Sequence, residues 1–495
     1  MMGLLVFAGC ALALVLGYVL YGRIAERVYG VDFRMLMPCR VQADGVDYVE
    51  MPTWKVFLIQ LLNIAGLGPV FGALAGCLFG PAALLWIVLG CIFAGALHDF
   101  LAALMSAEHG GANLPELVQR YLGRGAGYVM RSLCVVLMLL VGVVFTSGPA
   151  GMLHALVDAV SVPGWCVIIM LYYFLATVLP IDVIIGRLYP VFGVLFIFMA
   201  LGLAVALPFS GVEILPNCDI TQNLHPQGLS VWPMIFVTIA CGAISGFHAT
   251  QSPMMVRCLG DVRKARPVFY GAMVAEGLVA LIWATVGLTL RDVVTDYTLV
   301  SSAAGKLTPQ LAQAGQSLAT FAELTVSSPA TAVSHACTAL LGPVGAALAV
   351  LGVVVLPITS GDTAMRCCRL MLADALHVEQ KHWLRRLLIA VPLFVAVIAI
   401  SQVDFSVIWR YFGWANQTLA CFTLWSIAVF LLSKGRLHWL ATLPAVFMTT
   451  VCCTFLLGAP ECMIALPMPV ATGIGCGVAA ACLGLFLLRG RKSAG

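Results

Sequence analysis

Thirteen apolar runs, each close to the length that crosses a lipid bilayer as a helix, follow one another along this sequence. Such a crossing takes about 20 apolar residues. The runs lie near 2–22, 53–80, 81–106, 126–148, 163–181, 187–209, 229–256, 267–290, 339–358, 386–402, 408–432, 437–457 and 465–488. They are continuous rather than alternating, which argues against a transmembrane barrel. Charged residues make up 10% of the chain, whereas soluble domains carry roughly 25%. A surface so poor in charge must face lipid or protein. The expected fold class is an all-α membrane protein of about 13 transmembrane helices. The net charge of +4 gives no reason to expect a nucleic-acid partner.

Lys and Arg test the count independently. With the N-terminus outside, alternate connections become cytoplasmic, and 23 of the 26 basic residues fall there. Arg291, Lys306 and Arg410 remain on the outer side. Such a split follows the positive-inside rule. It predicts a multi-pass protein of a bacterial inner membrane, N-terminus outside and C-terminus cytoplasmic. The first run has no basic stretch before it and reads as a retained span rather than a signal peptide. The 18 cysteines are scattered, form no CxxC pair and read as small apolar packers. No cofactor is expected.

Two runs are too rich in glycine and proline to be continuous helices. The second contains Asn63, Ala65, Gly66, Gly68 and Pro69; the seventh contains Ser245, Gly246, Phe247, His248, Gln251 and Pro253. Glycine costs a helix about 1 kcal/mol relative to alanine, and proline about 3. Unwound backbone in hydrocarbon is tolerated beside a cavity or ligand; close packing through small residues is the other explanation. The two breaks are five helices apart and enter from opposite sides. That arrangement predicts an inverted five-plus-five repeat, with breaks at matching places marking a binding site. The expected units are 1–52 (first helix and a cytoplasmic loop), 53–228 (spans 2–6), 229–432 (spans 7–11) and 433–495 (two peripheral helices). Residues 291–338, amphipathic in their second part, are expected on the outer face or as a lid. The half-helices restarting near Gly68 and Phe247 would each aim a partial positive end at the membrane middle. Two such ends favour an anion, so a substrate carboxylate is expected there. Asn416 and Gln417, a polar pair in an apolar span, join the substrate-binding set.

Ionisable groups at membrane depth are functional candidates. His98, Asp99, His248, Glu276 and Asp362 are therefore candidate proton carriers, or else pairs that hold helices together. Thr359, Ser360 and Thr363 could coordinate Na+ with backbone oxygens, or simply bond their own helix. H+ or Na+ is the expected coupling ion. No HExxH occurs. His98 and Asp99, as neighbours, should point about 100° apart on a helix and not chelate a metal together. An enzyme is not expected.

The stretches "DGVDYVEM", "IAGLGPVFG", "LLWIVLGCIFAGALHDF", "ISGFHATQSPMMVRCL", "LPITSGDTAMRCCRLMLAD" and "WRYFGWANQTLA" resemble the carbon starvation protein A family of peptide and pyruvate transporters. The resemblance implies an amino acid–polyamine–organocation superfamily fold, whose core is an inverted five-helix repeat. It also implies uptake of small peptides or carboxylates such as pyruvate. Ile59-Gln60 stands where long members carry a histidine pair. Ala107-Glu-His-Gly-Gly111 stands where they carry a basic run. A nutrient sensor or channel is the alternative function.

Overall fold

The computed structural model describes residues 2–179, 185–301, 307–403, 405–460, 462 and 464–493. The predicted end of the fifth run, at 181, and Lys306 lie outside them, as does the side chain of Arg410. The helices are α1 (Met2–Tyr29), α2 (Thr53–Ile64), α3 (Gly68–Cys77), α4 (Ala82–Glu108), α5 (Leu114–Leu122), α6 (Arg124–Leu156) and α7 (Val162–Val178). They continue with α8 (Ile185–Ala206), α9 (Val231–Thr238), α10 (His248–Val256) and α11 (Val262–Leu290). After these come α12 (Phe321–Ser327), α13 (Pro329–Ala375), α14 (Trp383–Ile400), α15 (Phe405–Ser433), α16 (Trp439–Gly458) and α17 (Met468–Ser493).

Among the described residues, ten helices are long and apolar enough to cross a membrane, or eleven with the bent pair α2–α3. The predicted thirteen also included α7, of 17 residues, and the interrupted pair α9–α10; both fall short of that length. The segment 291–338 holds, in its first part, a departure from all-α structure. Tyr297–Ser301 pairs antiparallel with Leu307–Leu311. A capping box on Thr320 and Glu323 then starts α12. The predicted span 339–358 lies inside a longer element. α13 changes direction at Gly342, where φ is +68°, a conformation open to glycine, and then runs on to Ala375. Asp362 falls just past the end of the predicted span. It sits within the helix instead, because the polar stretch after it finds buried partners.

Those partners come from the loop between α1 and α2. The Asp44 carboxylate accepts from the amides of Val46, Asp47 and Tyr48 at 2.8–2.9 Å. This tight turn inserts Asp47 into the bundle. There Asp47 takes Arg366 at 3.0 Å and Arg369 at 3.3 Å, and both guanidiniums are fully buried. Arg366 also donates to the carbonyls of Ala176 and Leu179, which ties in α7. Next to this plug the Met51 amide donates to the Cys258 carbonyl at 3.0 Å, and Cys39 Sγ to the Leu259 carbonyl at 3.2 Å. Burial alone would raise the Asp47 carboxyl; Arg369, Arg366 and Arg257 outweigh it and hold the group below its ordinary range.

Candidate functional site

The two interrupted helices meet. α2 ends at Ile64, and the chain restarts at Gly68 with Pro69 in the first turn, where a missing amide costs nothing. The two halves are bent by 54°. α9 ends at Thr238, and α10 begins only at His248, after an unwound stretch through Gly242, at φ +88°. A Cβ on Gly68 would lie 2.4 Å from Cys241 Sγ, and one on Gly72 would lie 2.9 Å from the Thr238 carbonyl. The glycines of α3 therefore let that half-helix lie directly on the unwound stretch of the second break.

The second break is braced by one dipeptide of α15. Gln417 Nε2 donates to the Phe236 carbonyl at 2.7 Å, near the end of α9. Asn416 Oδ1 accepts from the Phe247 amide at 2.7 Å and from the Ser245 hydroxyl at 3.1 Å. The Asn416 carbonyl accepts from the Gly246 amide at 3.2 Å. Unwound backbone at this depth has no water to turn to, and Asn416-Gln417 satisfies it from both sides. The start of α10, expected to face a substrate carboxylate, gives its Phe247 amide to Asn416. A G246A substitution would place Cβ 2.2 Å from the Asn416 carbonyl and 2.5 Å from the Ala420 nitrogen. Because backbone cannot step aside, the expected loss is at least the ~1–3 kcal/mol typical of overpacking, read as a lower Tm in detergent.

A cavity of about 760 Å³ opens against the contact between the breaks. Gly68, Phe71 and Gly72 line it from one side, Thr238 and Cys241 from the other, with Asn416 between. It runs out to connecting residues 225–229, 325–330 and 401–403. Its lining holds hydroxyls, amides and His225 but no Asp, Glu, Lys or Arg among the described residues. Half-burial pushes His225 below its ordinary range, so its ring is neutral at pH 7. Of the predicted substrate set, Gly68 and Asn416 line this cavity. Asn63, Ala65, Gly66, Pro69, Ser245, Gly246, Phe247, His248, Gln251 and Gln417 are not among its lining residues. Gln251 bonds Thr250 Oγ1 at 2.9 Å.

The candidate proton carriers form two groups. In the first, His98 and Asp99 are bonded to each other although they are neighbours on one helix. Asp99 Oδ1 lies 2.8 Å from His98 Nδ1, and Oδ2 lies 3.0 Å from His248 Nδ1. His248 Nε2 in turn faces Glu276 Oε2 at 3.5 Å. All four residues are fully buried. In the second group, Asp362 accepts from the Tyr172 hydroxyl at 2.6 Å, and the Tyr189 hydroxyl lies 3.0 Å from its other oxygen. The same Tyr189 hydroxyl lies 3.0 Å from Asn63 Oδ1 and 2.9 Å from the Thr359 carbonyl. Tyr172 and Tyr189 were missed from sequence; a tyrosine in an apolar span carries no signal of its partner. The predicted Na+ set is bonded within the protein. Thr359 and Ser360 reach the Leu62 carbonyl at 2.8 and 3.3 Å, and Thr363 bonds the Thr359 carbonyl at 3.0 Å.

The sequence matches the family described as carbon starvation protein CstA over residues 2–160 and 150–455. The chain belongs to the CstA family. Similar proteins include an uncharacterized membrane protein of Haemophilus influenzae, 42% identical over 58% of this chain and 91% of that protein. The peptide transporter CstA of Campylobacter jejuni is 26% identical over 87% of this chain and 76% of its own. The pyruvate/proton symporter BtsT of Escherichia coli is 27% identical over 53% of this chain and 45% of its own. Among solved structures, a mutant of the Eremococcus coleocola manganese transporter superposes with TM-score 0.55 at 14% identity. The match covers 91% of this chain and 99% of that one. At that identity the likeness concerns fold alone. This CstA-family chain is thus a multi-pass membrane protein with the fold of a transporter.

Proposed function

We propose that the protein is a secondary transporter that imports small peptides or small carboxylates such as pyruvate across the bacterial inner membrane. It works by alternating access and is coupled to protons. The observation that carries this reading is the cavity of about 760 Å³ between two interrupted helices, a volume in the range of small-molecule sites. The cavity reaches residues of the connections near 225–229 and 401–403, and the buried Asp47–Arg366–Arg369 cluster is not part of its lining. The relatives named peptide transporter CstA and pyruvate/proton symporter support the substrate class. Gly68 brings the start of α3, with its partial positive end, to the cavity wall. A carboxylate there would be held by helix dipole and amides rather than by a cation. The repeat halves are 53–228 and 229–432, and the distribution of Lys and Arg supports an N-terminus outside.

Proton coupling is assigned to Asp362. One Tyr189 hydroxyl proton faces three acceptor oxygens; a proton on Asp362 supplies the missing donor, and its loss sets the acceptors against one another. Asp362 also lies within one helix turn of Thr359, which is bonded to the first interrupted helix. Binding and protonation are therefore linked through one network. The test is uptake of labelled pyruvate and of a tripeptide into proteoliposomes, with an H+ or a Na+ gradient imposed in turn. Gradient-driven uptake is expected with H+ alone. D362N is expected to lower it by about tenfold or more, equivalent to ~1.4 kcal/mol, while exchange of labelled for unlabelled substrate persists. Uptake driven by Na+ alone would transfer the coupling role to the Thr359 region. Absence of exchange in the wild-type protein would favour a sensor or channel.

A further inference from the structure

The first ionisable group poses a problem of charge that the transport reading does not use. Asp99 and Glu276 are two fully buried carboxylates, and Asp99 engages both histidines through Nδ1. When His248 donates Nδ1–H to Asp99, Nε2 is left with a lone pair. That lone pair points at Glu276 Oε2 at 3.5 Å. Among the described residues, neither His248 Nε2 nor either oxygen of Glu276 has a hydrogen-bond partner. Two acceptors facing each other in a buried site call for a cation between them. A third soft donor stands beside them. Cys241 Sγ, a ring nitrogen of His248 and a Glu276 oxygen all lie within 4.8 Å of one another, and all three residues are buried.

We propose that Cys241, His248 and Glu276 bind one divalent transition-metal ion of zinc type. A thiolate, an imidazole and a carboxylate at roughly 2.0–2.3 Å suit Zn2+, and three protein ligands leave a fourth position open. The arrangement behind the ligands supports it. A metal-bound histidine characteristically donates its other ring N–H to a carboxylate, which fixes tautomer and orientation; Asp99 does this for His248, and His98 in turn engages Asp99. Cys241 borders the cavity, which gives an ion a route to the site. The ion would neutralise the buried charge and tie the unwound stretch before α10 to α11. This proposal does not depend on which substrate is carried or on proton coupling at Asp362.

The test is binding of Zn2+ and Co2+ to the purified, chelator-treated protein in detergent. Metal content by elemental analysis is expected to reach one ion per chain. The Co2+ form is expected to show a thiolate-to-cobalt charge-transfer band in the near ultraviolet and tetrahedral bands in the visible. C241S should lose the charge-transfer band, and E276Q should weaken Co2+ binding by about tenfold or more. C421S, whose thiol faces Cys452 elsewhere in the bundle, should change neither. A wild-type protein that is folded by size-exclusion chromatography yet takes up no Zn2+ or Co2+ at micromolar free metal would overturn the proposal. So would binding unchanged in both C241S and E276Q. Either result would return the cluster to the proton path.

Discussion

Replacing Asp47 with alanine is expected to cost about 3–5 kcal/mol, the range for removing one partner of a buried ion pair. Arg366 and Arg369 are both fully buried around this one carboxylate. Without it two cations face each other in a site with little water. The loss should appear as a large fall in Tm in detergent and as poor recovery of folded protein. D47N separates charge from shape through pH. The folded-state carboxyl is held below its ordinary range, so its contribution is fully present above about pH 4. It is lost as pH falls through the depressed folded value. Wild-type Tm should therefore drop on acidification from pH 5 toward 3. The D47N curve should start lower and lose less, so that the two converge. Parallel curves would show that Asp47 is not the group titrating.

The second large effect is expected at Asn416. N416L keeps the branched shape but removes the oxygen that accepts from the Phe247 amide and the Ser245 hydroxyl. Each donor left without a partner in a buried site costs ~1–3 kcal/mol. The unwound stretch that carries Cys241 should rearrange, and substrate exchange should fall by more than tenfold. Because exchange needs no ion gradient, it isolates binding and movement from coupling. Retention of wild-type exchange by a folded N416L protein would show that the break does not need this brace. A Q417L variant should give a smaller loss, since it frees one carbonyl rather than two donors.

Much of this was legible in the sequence, and the rest was not, for identifiable reasons. The breaks near Gly68 and Phe247 were legible because glycine and proline act on the backbone locally. Their contact was not. It depends on Gly68, Gly72 and Gly76 presenting one face to residues 238–241, and local pattern does not specify what lies opposite. The polar tail of α13 was read as the end of a span because Asp362, Arg366 and Arg369 look unfit for burial. Their fitness comes from Tyr172, Tyr189 and Asp47, which are distant in sequence. The bond between the neighbours His98 and Asp99 was not legible, because helical geometry fixes where Cβ points but not where a longer side chain ends. The hairpin Tyr297–Ser301 with Leu307–Leu311 escaped because it lies ahead of the amphipathic part of 291–338, in a stretch for which no secondary structure was read.

The grip of Asn416-Gln417 bears on how such a molecule can move. One residue holds the start of α10 and its neighbour holds the end of α9, and both belong to α15. Neither half of the second interrupted helix can swing alone without tearing bonds from the same two side chains. The low-cost motion carries α9, α10 and α15 together as one lever. The seam it would slide along is already smooth: the face of α3 that carries no side chains.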